Sequence, residues 1–431
     1  MNLIVIVTDT FRADHLGCYG NERVRTPNLD RLASEGVTFT NVHGDGLPTI
    51  PMRRVFYTGN TILPEGAWRP LSPDDITVAE ILGERGYTTG LVADCYHMFK
   101  PGMNLHRGFD SWEWIRGQES DPWHSGPRDA VEPKDHMPEH LWNPHYDERI
   151  RQYMMNMQDR ESEEDYIVAR SCRAAMRWLD SNLDNRPFML WLELFDPHEP
   201  WDAPKRFRDM YFDDYPVEDF QFGYGVDVND VREEDLPAIR ALYKAEVTFV
   251  DEWIGHLLEK VADLGLDDDT AIVFTTDHGT HLGEQGCVQK TPGLLNSAVT
   301  QIPLIIRHPV RRCAGSRIDA LASGMDLAPT LMRLTGISDH PPMDGVDLWP
   351  LAEGEVESLH DWLLIGFRGF AAARTLDWHY FQNLRDREAG RGPALYDLRS
   401  DPGETTNVVD DHPEIVEDLR RLIAGAFPLE D

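Results

Sequence analysis

The chain has 431 residues, 41% of them hydrophobic, and carries 41 Lys+Arg against 75 Asp+Glu, a formal net charge of −34. That length and apolar share are enough to bury a large core in one main unit with a smaller appendage. A field this negative repels phosphate backbones and anionic lipid, which argues against nucleic acid or a membrane surface as main partner; an anionic substrate must be gripped by locally concentrated cations. Five cysteines (Cys18, Cys95, Cys172, Cys287, Cys313), odd in number and without C-x-x-C spacing, argue against a disulfide framework and for a reduced compartment. The opening Met-Asn-Leu-Ile-Val-Ile-Val-Thr-Asp is one strand long, with no basic flank or cleavage-like tail, and no apolar run approaches the roughly 20 residues of a membrane helix. The protein reads as cytoplasmic.

In chain order, residues 3–7 form a continuous aliphatic run ended by Thr8-Asp9-Thr10, the pattern of a strand buried on both faces of a parallel sheet. The pattern repeats over 88–93 before Asp94, 188–195 before Asp196, 271–276 before Asp277 and 303–306 before Arg307. Helical periods occupy 28–35, 78–85, 166–183, 237–264 and 328–334. This alternation predicts a doubly wound, mostly parallel α/β sheet with helices on both faces. Residues 109–164, rich in Trp, His, Pro and Asp, are too long for an ordinary connection and read as an irregular insert, either a pocket wall or an excursion that packs its tryptophans on the sheet. Beyond Gly354, alternation near 362–367, 378–381 and 395–398 and an amphipathic period over 413–423 predict a small antiparallel sheet with a covering helix. The chain thus divides into a catalytic α/β domain over 1–354 and a small α+β subdomain over 355–431.

In open parallel sheets ligands bind beyond the carboxyl ends of the strands, where Asp9, Asp196 and Asp277 fall, the last followed by His278. Aspartate is also common wherever strands give way to turns. In the window over 47–59, Pro51 suits a first helical turn and Gly59 a C-terminal stop, so a short helix is predicted to start just after Thr49. Its hydroxyl then sits where helix dipole and free amides favour negative charge, and Arg53, one turn on, points back at it. Alone, the window also fits a threonine N-cap followed by a surface arginine.

The run Asp9-Thr10-Phe11-Arg12-Ala13-Asp14-His15-Leu16-Gly17-Cys18-Tyr19-Gly20, followed by Thr26-Pro27-Asn28-Leu29-Asp30, resembles the opening of the sulfatase family of the alkaline-phosphatase superfamily. Similar matches at Asp196-Pro197-His198-Glu199-Pro200, Thr276-Asp277-His278-Gly279, Lys290-Thr291 and the terminal Asp401-Pro402-Gly403-Glu404 spread the likeness over nearly the whole chain. The resemblance implies an alkaline-phosphatase-like fold and hydrolysis of anionic esters. One window departs from it. Sulfatases resembling this chain carry C-x-P-S-R, whose Cys or Ser becomes formylglycine; here it reads Thr49-Ile50-Pro51-Met52-Arg53, and threonine cannot become that aldehyde. The family's aldehyde hydrate releases sulfate by elimination. A threonine ester lacks that exit and must be cleared by water attacking the transferred group, which is ordinary in-line chemistry for a phosphoryl group.

Threonine nucleophiles occur in similar superfamily members: phosphodiesterases, phosphonate hydrolases and phosphoethanolamine or glycerophosphate transferases. The resemblance to the single-metal transferases implies that Asp9, Thr49, Asp277 and His278 hold one divalent cation, a donor set that suits Zn²⁺ or Mn²⁺ ahead of Ca²⁺ or Mg²⁺. A second metal is not expected, because Asp196-Pro197-His198 lacks the D-x-x-x-H spacing of the two-metal phosphodiesterases. Family position implies His198 and Lys290 in the anion pocket and Arg53 holding the nucleophile loop. His97 stands where the family carries K-x-H, but Cys95 occupies the lysine position, which weakens it as a leaving-group contact. His198, Lys290 and His97 also fit strand-end, loop and packing roles. The expected function is metal-dependent hydrolysis of a small phosphodiester- or phosphonate monoester-type ester through a covalent Thr49 intermediate. A sulfatase using unmodified Thr49, a phosphotransferase and a non-catalytic binder of sulfated or phosphorylated glycan stay open.

Overall fold

A computed structural model describes every residue except 65, 67, 146, 224–227, 292, 385–391 and 428–431. The strands of the first part are β1 (Asn2–Thr8), β2 (Val37–His43), β3 (Thr88–Ala93), β4 (Ser111–Trp114), β5 (Phe188–Leu194), β6 (Thr270–Thr276), the short pair β7 (His281–Leu282) and β8 (Val288–Gln289), β9 (Gln301–Arg307), β10 (Ser316–Ile318) and β11 (Ala322–Ser323). Its helices are α1 (Pro27–Ser34), α2 (Thr49–Thr58), α3 (Val78–Glu84), α4 (Asp147–Asn156), α5 (Ile167–Ser181), α6 (Lys205–Arg208), α7 (Leu236–Asp263), α8 (Ser297–Thr300), α9 (Leu327–Thr335) and α10 (Trp349–Ala352). The large sheet runs in the order β10-β2-β9-β6-β1-β5-β3-β4, with β11 also paired to β2. Alternation along β1 explains why the run 3–7 shows no polar residue: Ile4 and Ile6 face a core built with α1, α5 and α7, while Leu3, Val5 and Val7 face one built with α2, α3 and α9. Each such side chain withdrawn from water stabilises the fold by roughly 1.5–3 kcal/mol, so both faces demand aliphatics.

The sheet is mostly parallel, as expected, with one reversal. The run over 303–306 lies in β9, which is antiparallel to both β6 and β2. Among the described residues the chain between β6 and β9 carries the β7–β8 pair, a three-residue 3-10 turn (Glu284–Gly286) and the four-residue α8, none long enough to cross back, and β9 starts at the sheet edge where β6 stops. The insert over 109–164 is less irregular than its composition predicts: β4 extends the sheet beside β3, and α4 buries Ile150, Tyr153 and Met154.

The C-terminal sheet is antiparallel, ordered β12 (Leu363–Phe367), β13 (Phe370–Arg374), β14 (Trp378–Asn383) and β15 (Ala394–Asp397), and α11 (Pro413–Ala426) covers it. One face (Ile365, Phe367, Phe381, Tyr396) packs on Leu47, Leu294, Leu295 and Val299 of the large part; the other (Ala371, Ala373, Tyr380, Leu395) packs on Leu419 and Ile423. Backbone bonds join the parts too, Leu47 N–H to the Gly366 carbonyl at 3.0 Å and Gly366 N–H to that of Asp45 at 2.9 Å. Glu404 of the terminal Asp-Pro-Gly-Glu motif is a buried clamp: its carboxylate accepts from His379 Nδ1 (2.6 Å), Arg374 Nη1 (3.1 Å) and the Ser297 amide (2.5 Å). Burial works to raise this carboxyl, but the imidazole, the guanidinium and the amide outweigh it and hold it at about 2. With the folded value below the unfolded one, the contribution is complete above about pH 4.5 and vanishes as pH falls toward 2. Glu404→Gln is therefore expected to cost on the order of 2–3 kcal/mol at pH 7, a difference that shrinks through the acid range in urea unfolding curves; a constant difference would show that the clamp acts by shape, not charge.

Candidate active site

Three strands and one helix bring the site to the carboxyl edge of the sheet. Asp9 follows β1, Asp277 and His278 follow β6, Glu193 lies near the end of β5, and β2 leads through 44–48 into α2. Thr49 is the first residue of α2, one residue earlier than the sequence predicts, and Pro48, not Thr49, is its N-cap. The helix stops at Gly59, whose φ of 66° suits a residue without Cβ. Thr10 adopts φ 65°, an uncommon backbone for a threonine, and this turns its amide to Asp277 Oδ1 (3.1 Å) while its hydroxyl donates to Asp9 Oδ1 (2.7 Å). Gly279 is required by close approach: a Cβ there would sit 2.1 Å from the Ala298 carbonyl oxygen. Its own carbonyl accepts from His278 Nδ1 at 2.9 Å.

Arg53 is the hub. Its guanidinium, fully buried, donates to Asp9 Oδ2 (3.0 Å), to Glu193 Oε2 (3.0 Å), to Asp277 Oδ2 in a close contact, and to the Thr49 carbonyl (3.4 Å). The surface-arginine alternative is thereby excluded. Burial alone would lower the Arg53 pKa, yet Asp277, Glu193 and Asp9 hold it well above its usual value. Burial would raise Asp9, but Arg53 and the nearby His198, His278 and Lys290 hold it well below the usual carboxylate range. Asp277 goes the other way, pushed up by burial and by the Asp9 charge against the pull of Arg53. One guanidinium cannot neutralise three carboxylates, and the excess falls on the Asp9–Asp277 pair.

That excess fits a divalent cation. Asp9, Asp277 and His278 present ligand atoms within 4.8 Å of one another, all buried. With Nδ1 of His278 bonded to a carbonyl, its Nε2 has no hydrogen-bond partner among the described residues and lies 3.4 Å from Asp277 Oδ2 and 3.8 Å from Asp9 Oδ1. Burial lowers the His278 pKa to about 3, so at neutral pH this nitrogen offers a lone pair to carboxylates, an arrangement that makes sense around a metal. A buried acceptor facing acceptors would otherwise be costly.

Thr49 opens onto a cavity of about 600 Å³ whose walls include His97, Lys100, Glu119, His198, Glu199, Lys290 and Arg368. His198 Nδ1 lies 2.6 Å from the Glu199 carbonyl and its Nε2 is 2.9 Å from Lys290 Nζ. Lys290 also donates to both Glu199 oxygens (3.1 and 3.2 Å) and to the Thr10 hydroxyl (3.5 Å), so the lysine, the histidine and Asp9 are linked through Thr10. His97 is paired with Glu119, Nε2 to Oε2 at 2.5 Å. Of the residues singled out in the sequence, Asp9, Arg53, Asp277 and His278 converge at the edge, and Thr49, His97, His198 and Lys290 share the cavity. Asp196 joins neither. Its carboxylate accepts from Gln118 Nε2 at 2.6 Å, on a buried acidic side with Asp202 and Glu246. Sequence reasoning also missed Glu193 and Glu199. Glu193 was visible as a lone acid inside an otherwise apolar strand, a pattern that requires a buried partner.

The sulfatase family model matches residues 1–337, and a model of the N-sulphoglucosamine sulphohydrolase C-terminal region matches 283–425. Curated relatives include an N-acetylglucosamine-6-O-sulfatase of Bacteroides thetaiotaomicron, 25% identical over 94% of this chain and 82% of that protein, and a multifunctional alkaline phosphatase superfamily protein of Trinickia caryophylli, 25% identical over 95% and 91%. Among solved structures, a phosphonate monoester hydrolase of Agrobacterium radiobacter superposes with a TM-score of 0.78 at 23% identity, covering 99% of this chain and 95% of that one. An enzyme in complex with its substrate D-glucosamine-2-N,6-O-disulfate gives 0.75 at 21% identity, covering 98% and 97%. With the family model lying over most of the chain and its edge of buried Asp, Asp and His intact, the chain belongs to the sulfatase family of the alkaline-phosphatase superfamily, and it is a hydrolase.

Proposed function

We propose that the protein hydrolyses a phosphonate monoester or phosphodiester through a covalent ester on Thr49. The observation that carries this reading is the placement of Thr49 at the head of α2, on the cavity wall, with its carbonyl tied by Arg53 to the same two carboxylates that offer themselves to a metal. A divalent cation held by Asp9, Asp277 and His278 with the Thr49 hydroxyl would make that hydroxyl nucleophilic at neutral pH and offset charge on the transferred oxygens.

In the first step the Thr49 hydroxyl gives its proton to solvent and its oxygen forms a bond to phosphorus as the ester bond to the leaving oxygen breaks; in the second, water attacks phosphorus, the bond from phosphorus to the Thr49 oxygen breaks, one proton of that water returns to Thr49, and a solvent proton restores the Lys290–His198 donor. Lys290 and His198 face the reacting group as donors. Because the Nδ1 proton of His198 is committed to the Glu199 carbonyl, the proton passed to the leaving oxygen is the one shared between Lys290 Nζ and His198 Nε2. Glu199 keeps that pair in place: burial would raise its pKa, but His198 and Lys290 lower it, so it stays a carboxylate and anchors the lysine. Thr10, in the position where many sulfatases carry a second aspartate, supplies a neutral hydroxyl between Asp9 and Lys290, so no further negative charge opposes the incoming anion.

The competing reading is a sulfuric-ester hydrolase, favoured by the activity named for the Bacteroides relative. Side-by-side rates on 4-nitrophenyl phenylphosphonate, bis-4-nitrophenyl phosphate and 4-nitrophenyl sulfate discriminate. The phosphorus esters are expected to be turned over at least about 10²-fold faster, a barrier difference of about 2.7 kcal/mol; a preference for the sulfate would overturn the proposal.

A further inference from the structure

The cavity beyond the reacting centre carries two cations that no carboxylate among the described residues neutralises. Lys100, just after the loop that follows β3, and Arg368, at the tip of the β12–β13 hairpin, line the same wall space as Thr49, His198 and Lys290, yet neither has a carboxylate partner among the described residues. The two acidic groups on the same wall, Glu119 and Glu199, are committed elsewhere, and its remaining arginine, Arg149, has an interaction of its own. Glu119 is taken by His97, and Glu199 by Lys290. Lys100 instead sits with Nζ 4.6 Å from the Tyr96 ring centroid, and the Arg368 guanidinium 5.4 Å from that of Phe367, so aromatic faces hold both side chains without neutralising them.

Backbone geometry at the hairpin points the same way. Arg368 adopts φ 46°, followed by Gly369 at φ 86°, a two-residue tip whose first position ordinarily takes Asn, Asp or Gly. An arginine there costs about 1 kcal/mol relative to glycine, and such conformations cluster at active sites and ligand clamps.

From these observations we infer that Lys100 and Arg368 form a second anion subsite, so that the substrate carries, besides the scissile group, a remote carboxylate, sulfate or phosphate. This rests on the reading of the cavity as an anionic-ester site, and it narrows the substrate class to dianions or higher. A single-charged ester fills only the Thr49 end; a remote anion would be held by charge-assisted bonds from two walls, one belonging to the large part and one to the small sheet. Electrostatic focusing also explains how a protein of net charge −34 admits such a molecule: both cations stand at the exposed end of the cavity, where an approaching anion meets them first.

The test is binding rather than turnover. Calorimetry on the metal-loaded full chain would compare alkylphosphonates of two, four and six methylenes with their ω-carboxylated twins, and alkyl sulfates with theirs. At least one carboxylated ligand is expected to bind about tenfold tighter than its twin without the carboxylate, equivalent to about 1.4 kcal/mol. Lys100→Gln and Arg368→Gln should each reduce that preference severalfold, and together erase it, while affinity for the twin without the ω-carboxylate stays within twofold. Equal affinities for all twins, or a preference that survives the double variant, would overturn the inference. Failure of the Thr49 chemistry would show separately, as phosphorus esters that bind but are not turned over.

Discussion

Thr49→Ala is expected to slow hydrolysis of an aryl phosphonate or phosphodiester by at least about 10⁴-fold, because a site stripped of its nucleophile keeps only its binding and electrostatic contributions. The fold should not notice. Pro48 rather than the Thr49 side chain sits at the N-cap, and α2 is anchored by Ile50, Met52, Val55 and Phe56 in the core beneath it. Melting temperature should stay within about 2 °C of the parent, as for a substitution that removes no cap and leaves no cavity, and elemental analysis should still return the cation, since Asp9, Asp277 and His278 remain. Thr49→Ser, which keeps the hydroxyl, should retain measurable turnover. Undiminished hydrolysis by the alanine variant would eliminate the covalent step.

Arg53→Met is expected to have the largest effect on stability. The change leaves Asp9, Glu193 and Asp277 fully buried around a missing guanidinium, and stripping one partner from a buried ionic cluster costs roughly 3–5 kcal/mol. Denaturant unfolding of the metal-free variant against metal-free parent measures it. Arg53→Lys should recover part of that stability but little activity, since a single ammonium cannot donate to Glu193, both aspartates and the Thr49 carbonyl in the fork that the planar group spans. A methionine variant as stable as the parent would mean that the carboxylates take up protons at no cost, and Arg53 would then not be the hub of the site.

What was legible in the chain follows from physics that acts locally. The aliphatic runs of β1, β3, β5 and β6 stand out because both faces of each strand are buried, and the helix after Thr49 because its breakers bracket it. Strand direction leaves no such trace: β9 is as buried as its parallel neighbours, so its reversal is invisible until the short connection before it is seen. β2 was hidden by a register break between Phe39 and Val42 and by the polar Thr40 and Asn41, and β4 by its exposure at the edge. The site shows the same division. Asp9, Asp277 and His278 were readable from strand ends, whereas Glu193 and Glu199 serve cations distant in sequence, and only folding shows that Asp196 turns away toward Gln118.

The hairpin that contributes Phe367 and Arg368 to the cavity hangs on a sheet that supplies none of the residues around the buried carboxylates. On the inferred subsite, one of its two cations therefore sits apart from the reactive residues: a grafted tip between β12 and β13 is expected to alter the preferred molecule while Lys100, Asp9, Thr49, Asp277 and His278 continue unchanged, giving evolution or an engineer a dial that does not disturb the engine.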